Sequence, residues 1–538
     1  QQGLLPASVT KAAAAVQEME GRGSVDLAVN RAAESLPQIE GWISLDGARF
    51  KVHDFPLTEV RGEIALTPAE IKAEKVRALL SGSPVQIQMA LKDYADDNGT
   101  FDLTVESAGV RAGVVTRWLL SSGSLQDPGL VRGSVRYRGA LGTTEGRRLT
   151  GKLDLADVQI AVRPLLQPLR DLNGRISIDE AGIDFQNLKG LLVGFPAGLN
   201  GRWRFAQKPQ LLFEFAAPNL DVNHFYSQLN PEATDFYANL QAVGKITLGQ
   251  GRIRAFQFSD LKADVVIDRK VWRLGNIVAR SAGGSLQGSA IFTDQPGILG
   301  ISVEPKIRGV PVQGVLDWFE AGKAEMTGKV DLMGKLAWMG KDAAERKRSV
   351  EGFFTLRIED GTIGRMRVLV QLLNLLDLSR WFTLQAPDPG KQGIRFRTVT
   401  GDFKVTQGVY ATENLVVDSD DLRMTGQGKI DLPKDEIDFI VAVRPFAGID
   451  TVIGYIPLIG RSIAAIKNSF LVASFNIRGS IEDPTITPAP LGTLSEWFWG
   501  VLGIPKNIIG FGGEGKNEAA LQEQSKEPVK ESAPAPNP

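Results

Sequence analysis

Catalysis and metal binding need side chains that move protons, attack electrophiles or hold cations, and this chain supplies few of them. It has no Cys and 2 His. Thiol chemistry, iron–sulfur ligation, a disulfide framework and Cys-based zinc sites are therefore excluded. His53, in Arg49-Phe-Lys-Val-His53, falls on the polar side of an expected strand and reads as a solvated imidazole. His224, in Asn219-Leu-Asp-Val-Asn-His224-Phe-Tyr, reads as a residue at a helix start. Two imidazoles cannot build a multi-His metal centre. Asp418, Asp420 and Asp421 crowd into VVDSDDLRM. Carboxylates so close can hold a hard cation, but the glycine-spaced frame of a calcium loop is missing, so a solvated turn is the favoured reading. No HExxH, GxSxG, Walker A or CxxC motif occurs. The expectation is a protein that is not an enzyme and uses no metal or cofactor.

The elements around these residues say more. Lys and Arg number 61 against 62 Asp and Glu, a net charge of -1, which argues against a global attraction to nucleic acid. With 538 residues, 43% apolar and 23% charged, the chain is globular in composition and long enough for several domains or one long repetitive one. Its start, QQGLLPASVTKAAAAVQEMEG, lacks a basic n-region and begins without Met. It reads as a fragment or processed form, with any N-terminal anchor outside it. No run of 18 uncharged apolar residues is present, so no membrane-spanning helix is expected.

One pattern returns along the chain: a Gly, then apolar residues at every second position. Gly62-Glu-Ile-Ala-Leu, Gly133-Ser-Val-Arg-Tyr, Gly174-Arg-Ile-Ser-Ile, Gly328-Lys-Val-Asp-Leu and Gly428-Lys-Ile-Asp-Leu are examples. A period of two marks a strand with one apolar and one polar face. Turns are expected at Asp179–Gly182, Asp268–Lys270, Pro433–Asp435 and Glu482–Pro484. The 58 Gly read as punctuation between hairpins. Short helices are expected at Lys11–Glu20, Val114–Leu120, Leu165–Leu172, Val222–Leu229, Val312–Phe319 and Ile463–Phe470, with a long amphipathic one at Ile363–Phe382, about 30 Å if continuous.

The predicted fold class is mainly β: an elongated, curled antiparallel sheet forming an open trough, with few helices. Its expected segments are residues 1–140 and 141–348 of the trough, 349–490 with amphipathic helices, 491–515 as an aromatic membrane-proximal or capping segment, and 516–538 as a disordered tail. Lys341–Arg348 is read as an exposed loop.

An amphipathic sheet must hide its apolar face, and these helices are too few to cover it. A second sheet, closure into a barrel, or an apolar ligand remain. Strand parity names the expected lining: Trp203, Phe205, Phe213, Phe215, Ile394, Phe396, Phe403, Val405, Ile437, Phe439, Val441 and Val443. For any single strand, plain core packing is the simpler account; for the ensemble the two readings balance. A diacyl lipid exposes about 30 methylene and methyl groups, which cost on the order of 25 kcal/mol in water. A continuous apolar trough would shield them. Two denser apolar clusters, Ile453, Tyr455, Ile456, Leu458 and Ile459, then Trp497, Phe498 and Trp499, suit a membrane interface or a helical plug on the sheet.

The run FRTVTGDFKVTQGVYATENLVVDSDDLRMTGQGKIDLPKDEIDFIVAVRP resembles the C-terminal region of the AsmA-like family, in particular its YhdP-type branch. Gln407-Gly-Val-Tyr410, Leu415-Val-Val-Asp-Ser419 and Gly426-Gln-Gly-Lys-Ile-Asp-Leu432 carry the likeness, flanked by GTIGRMRVLVQLLNLLDLSRWF, VIGYIPLIG and Phe475-Asn-Ile-Arg-Gly-Ser-Ile-Glu-Asp-Pro484. The specific part covers about Gly361–Pro488; upstream, the likeness is one of style. The resemblance implies a bridge-like lipid transfer protein of the bacterial periplasm, anchored in the inner membrane by an N-terminal segment. It implies phospholipid transport that supports outer-membrane integrity, with a phospholipid or other diacyl lipid as partner and membrane contact at one or both ends. The second reading is a non-transporting scaffold or assembly factor for outer-membrane proteins, offering a sheet edge to a client strand.

Overall fold

The computed structural model describes residues 16–30, 38–52, 55–94, 99–120, 128–143, 145–205, 210–253, 256–295, 298–318, 326–363, 394–420, 422–445, 472–490 and 496–502. They form one 25-stranded sheet. Its strands are β1 Val16–Asn30, β2 Gln38–Val52, β3 Phe55–Leu66, β4 Glu70–Leu80, β5 Ser83–Lys92, β6 Thr100–Arg111, β7 Leu130–Ala140, β8 Arg148–Ile160, β9 Leu169–Asp179, β10 Gly182–Leu192, β11 Phe195–Arg204, β12 Gln210–Asp221 and β13 Gln241–Ile253. They continue as β14 Phe256–Asp268, β15 Val271–Ser281, β16 Gly284–Gln295, β17 Ile298–Pro311, β18 Lys329–Gly340, β19 Glu351–Ile363, β20 Ile394–Thr406, β21 Val409–Asp418, β22 Leu422–Asp431, β23 Glu436–Pro445, β24 Ala473–Ser480 and β25 Thr485–Pro488. Six short helices interrupt them: α1 Ala112–Leu120, α2 Val222–Ser227, α3 Thr234–Asn239, α4 Val312–Trp318, α5 Ala343–Arg348 and α6 Glu496–Val501.

Each strand pairs with its neighbours in sequence, and every pairing is antiparallel except β12 with β13. No pairing joins β1 to β25 among the described residues, so the sheet is open: a β-groove rather than a barrel. The four expected turns lie where the sequence put them, between β9 and β10, β14 and β15, β22 and β23, and β24 and β25.

Three sequence expectations change. Of the glycines that opened the predicted strands, Gly62, Gly133, Gly174 and Gly428 lie inside longer ones, while Gly328 stands just before β18. Gly428 sits within β22 at φ 153°, and a Cβ there would overlap the Asp438 carbonyl and crowd Phe439 of the next strand. Such glycines mark kinks inside strands rather than turns between them. Of the expected helices, residues 16–20 of Lys11–Glu20 belong to β1, and Leu165–Leu172 is a bridge to Leu229 followed by the start of β9. The predicted loop at Lys341–Arg348 contains α5, capped by the Asp342 carboxylate on the Glu345 N–H at 2.8 Å. The long helix at Ile363–Phe382 falls almost wholly outside the described residues, as does Ile463–Phe470.

Bulges bend the sheet. Asp157, Asp171, Asn187, Asp260 and Asn276 each adopt φ near 50° at a slip in strand register. Asp and Asn tolerate that conformation because their short polar side chains bond locally, and a bulge bends and twists its strand. The freed groups are paired across strands. The Asp157 N–H donates to Asn173 Oδ1 at 3.2 Å and Asn173 Nδ2 donates back to Asp157 Oδ1 at 3.0 Å. The Asn187 N–H donates to Asn200 Oδ1 at 2.7 Å, and the Asp402 N–H to Asn414 Oδ1 at 2.7 Å.

Alternating strand direction, reset once by the parallel pair, places the ends of β6, β8, β12 and β17 on one rim, and α1, α2 and α4 hang from it. α1 and α4 are launched alike: the Ala112 N–H donates to the Gly129 carbonyl and the Val312 N–H to the Gly328 carbonyl, both at 2.9 Å. Val110, Leu220 and Val310, each two residues before its helix, are buried. β6, β12 and β17 thus each end in a strand-to-helix unit on the same rim.

Candidate functional site: the apolar groove

Register fixes which side chains share a face. Starting from Trp203, which pairs with Leu211, the same face runs through Phe213 opposite Gly201 and Gly244, and Phe215 opposite Leu199 and Ile246. It continues through Val265 and Leu274, Ala290 and Val303, Leu336 and Gly352, to Val405 and Tyr410. Phe403 pairs with Phe354, and their rings stack at 4.9 Å with planes 11° apart. Beyond lie Gly428 with Phe439, Gly426 with Val441 and Ile430 with Ile437, then Phe439 with Ile477, Val441 with Phe475 and Val443 with Ala473. Glycines on this face sit opposite large side chains, so the rings have room to lie across the neighbouring strand.

Phe396 pairs with Gly361 and Ile394 with Ile363. They follow even numbers while Phe403 and Val405 follow odd ones, because the ladder skips Asp360 and Arg397 together. Phe205 is the exception: it follows the end of β11 and is 50% exposed. Ile453, Tyr455, Ile456, Leu458 and Ile459 lie outside the described residues, as does His53.

Burial divides this face. From Ala217 onward a single buried cluster runs to Ile477 and includes Phe396, Val399, Phe439, Val441, Val443 and Phe475. Over β9 to β12, by contrast, Ile176, Ile183, Phe185, Leu199, Trp203, Leu211 and Phe213 are all half-buried. Among the described residues, Ile183, Phe185, Leu199 and Trp203 belong to no buried cluster and pack against none. Ile183, Phe185 and Leu199 were not singled out from the sequence. Alternation in Gly182-Ile-Asp-Phe185 signalled the first two, but the bulge at Asn187 broke the parity that would have tied them to Leu199.

Residues 245–486 match the family model described as YhdP protein. This stretch is a YhdP-type region. It is just under half of the chain and takes in β14 to β24 whole. The comparison with curated proteins gave no match, and neither did that with solved structures. The half-open face of β9 to β12 therefore lies upstream of the YhdP-type region, and the continuous buried cluster lies mostly inside it.

The opposite face is ion-paired, with exposed apolar residues such as Val266, Met333 and Phe353 among the charges. Arg136 Nε meets Asp102 Oδ1 at 2.8 Å, Glu180 joins Arg148 at 2.6 Å and Arg138 at 2.7 Å, and Arg175 joins Asp154 at 2.6 Å. Hydrogen bonds from these guanidinium groups hold all three carboxyls below the usual carboxylate range. The acidic cluster belongs to this network. Arg423 meets Asp418 at 3.0 Å, and Arg397 meets Asp418 at 3.3 Å and Asp420 at 3.5 Å; Asp421 lies outside the described residues. Among the described residues no group of three or more His, Asp or Glu could hold a metal ion. His224 lies in α2, edge-on to Phe195 at 5.9 Å.

The aromatic run Trp497–Trp499 forms α6 and packs on this second face, not over the groove. Phe498 and Trp499 are buried with Ala442, Val472 and Leu502, and Trp497 packs beside them. Ala442 lies between Val441 and Val443 and so points away from the groove. Arg423 Nη1 donates to the Val501 carbonyl at 3.2 Å and Arg444 Nη1 to the Leu502 carbonyl, satisfying the end of the helix. Burial, then the neighbouring Arg423, lowers the Arg444 pKa. No helix among the described residues is long and apolar enough to cross a membrane.

Proposed function

We propose that the protein is a bridge-like lipid transfer protein whose groove shields the acyl chains of a phospholipid or other diacyl lipid. It would work in the periplasm, tethered to the inner membrane, and carry lipid between the inner and outer membranes in support of outer-membrane integrity. The observation that carries this reading is the half-open apolar face of β9 to β12, with Ile183, Phe185, Leu199 and Trp203, on an open sheet whose other face carries the ion pairs. Moving a diacyl chain through water exposes on the order of 25 kcal/mol of apolar surface; a groove removes that cost along its length. The mechanism is passive: chains slide on an apolar face, and supply and removal at the ends set the direction. The match of residues 245–486 to the YhdP protein family and the resemblance of that region to the AsmA-like family support it.

The test is lipid capture by the intact chain. A photoreactive phenylalanine analogue replaces Phe185 or Trp203, and adducts formed in cells are identified by mass spectrometry. Phospholipid adducts are expected at both positions. Protein adducts alone would instead favour a scaffold for outer-membrane proteins. One observation speaks for that second reading: among the described residues the 15-residue β1 pairs with β2 alone, with Val25, Leu27 and Val29 exposed, as an edge open to a client strand would be.

A further inference from the structure

The sheet is not evenly zipped. β11 and β12 pair from Gly198 with Ala216 to Arg204 with Gln210. The first three residues of β11, Phe195 to Ala197, pair with β10 alone. Ala217, Asn219, Leu220 and Asp221 of β12 pair with β13 alone. The two strands part like a fork at the rim that carries the helices.

A cavity of about 510 Å³ lies there. Phe195, Leu220 and Phe258 line it, and all three belong to or pack against the buried cluster of the apolar face. Asp221, Arg252, Gln257 and Arg280 line it too, and these are groups of the charged face. A zipped sheet keeps its two faces apart by a layer of backbone; this cavity touches both. Its charged lining holds two Arg against one Asp. Asp221 is fully engaged: it accepts from the Asn223 and His224 N–H groups at 3.0 and 3.1 Å, and from Arg252 Nε and Nη2 at 2.8 and 2.6 Å. Arg280 is the looser cation, 3.8 Å from Asp260 and mostly in solvent. The Ser281 hydroxyl donates to the Gln257 carbonyl at 2.7 Å, which fixes the wall beside it.

We propose that this fork is a side entrance to the groove, holding the phosphate of a diacyl phospholipid against Arg280 and Arg252 while its acyl chains pass Phe258 and Leu220 onto the apolar face. This rests on the lipid reading of the groove and adds to it a headgroup site. A guanidinium suits a phosphate because its planar fork of donors matches two phosphate oxygens. The amphipathic lining suits a molecule with one charged end and two apolar tails, and the volume falls within the range of ordinary ligand sites.

The experiment uses the intact chain and vesicles containing radiolabelled phosphatidylglycerol, with the photoreactive analogue in place of Gln257 in one sample and of Trp203 in another. Both are expected to label. Arg280→Glu is expected to lower labelling at position 257 about tenfold, the loss of one charge-assisted contact, and to leave labelling at position 203 largely unchanged. Arg280→Lys is expected to restore part of it. Circular dichroism confirms that each variant folds. Label at 203 with none at 257, or no response to Arg280→Glu, overturns the fork and leaves the groove standing. Label at neither position overturns the groove reading itself. Loss of the 257 label in millimolar inorganic phosphate identifies a plain anion site and also overturns the proposal.

Discussion

The apolar face over β9 to β12 and the same face over β20 to β24 are built from one pattern and end in different states. Both alternate apolar and polar residues, both carry Gly opposite large side chains, and both turn their second face to charge. In the downstream stretch the apolar side chains close on one another: Phe439 is 5% exposed and Val443 1%. In the upstream stretch Phe185 and Trp203 stay half in solvent. Alternation thus makes a face, while what packs across it decides whether that face is a core or a surface. The downstream stretch forms a buried core, and the upstream stretch leaves its apolar side chains half in solvent.

The largest expected effect tests the core side of this contrast. Phe439→Asp would bury an unpaired carboxylate and should cost about 4 kcal/mol or more, seen as loss of the cooperative melt. A stable, folded Phe439→Asp variant would show that this stretch is open after all. Gly428→Val comes next. It places a β-branched side chain at a positive φ against the Asp438 carbonyl and should cost about 2–3 kcal/mol, read from chemical denaturation. Trp203→Asp should change stability by no more than about 1 kcal/mol yet slow fluorescent-lipid transfer between vesicles about tenfold, since a charge would stand in the lipid path. Transfer at the normal rate would sever the open stretch from cargo.

The smallest effect is acid sensitivity of the charged face. The Asp102 and Asp402 carboxyls are held below the usual range, Asp102 chiefly by Arg136 and Asp402 by Thr355 and then Asn414. A carboxyl whose pKa falls on folding stabilises the fold fully above its unfolded value, about 3.9. That contribution is lost as pH falls through the lower folded value. Thermal melts should therefore hold steady from pH 7 to about pH 5 and decline below it, less in Asp402→Asn than in the parent chain.

Much of the fold was legible in single residues. Ile437, Phe439, Val441 and Val443 alternate without interruption, and β23 contains no bulge, so parity read from the sequence is parity in the sheet. The four turns were legible because Gly, Pro, Asp and Lys fell between apolar runs. Phe205 looked like a continuation of Trp203, but β11 ends at Arg204, and nothing local announces that end. Phe396 shares a face with Phe403 only because a skipped pair shifts the count. The aromatic run at Trp497 was visible as a cluster. That it covers the face opposite the groove depends on Ala442, a small residue 55 positions earlier whose outward parity leaves room for Phe498.

The sequence by itself determined that this is a β protein with one apolar and one charged face and few groups able to do chemistry, because alternation and composition are local properties. Only the tertiary structure decided that the sheet stays open, that β11 and β12 part at one rim, and that equal apolar stripes become a core in one place and a surface in another. Those outcomes depend on bulges, register and curvature. Each bulge turns the rest of its strand by one residue, and the sum of such turns across twenty-five strands is set by the whole sheet rather than by any segment of it.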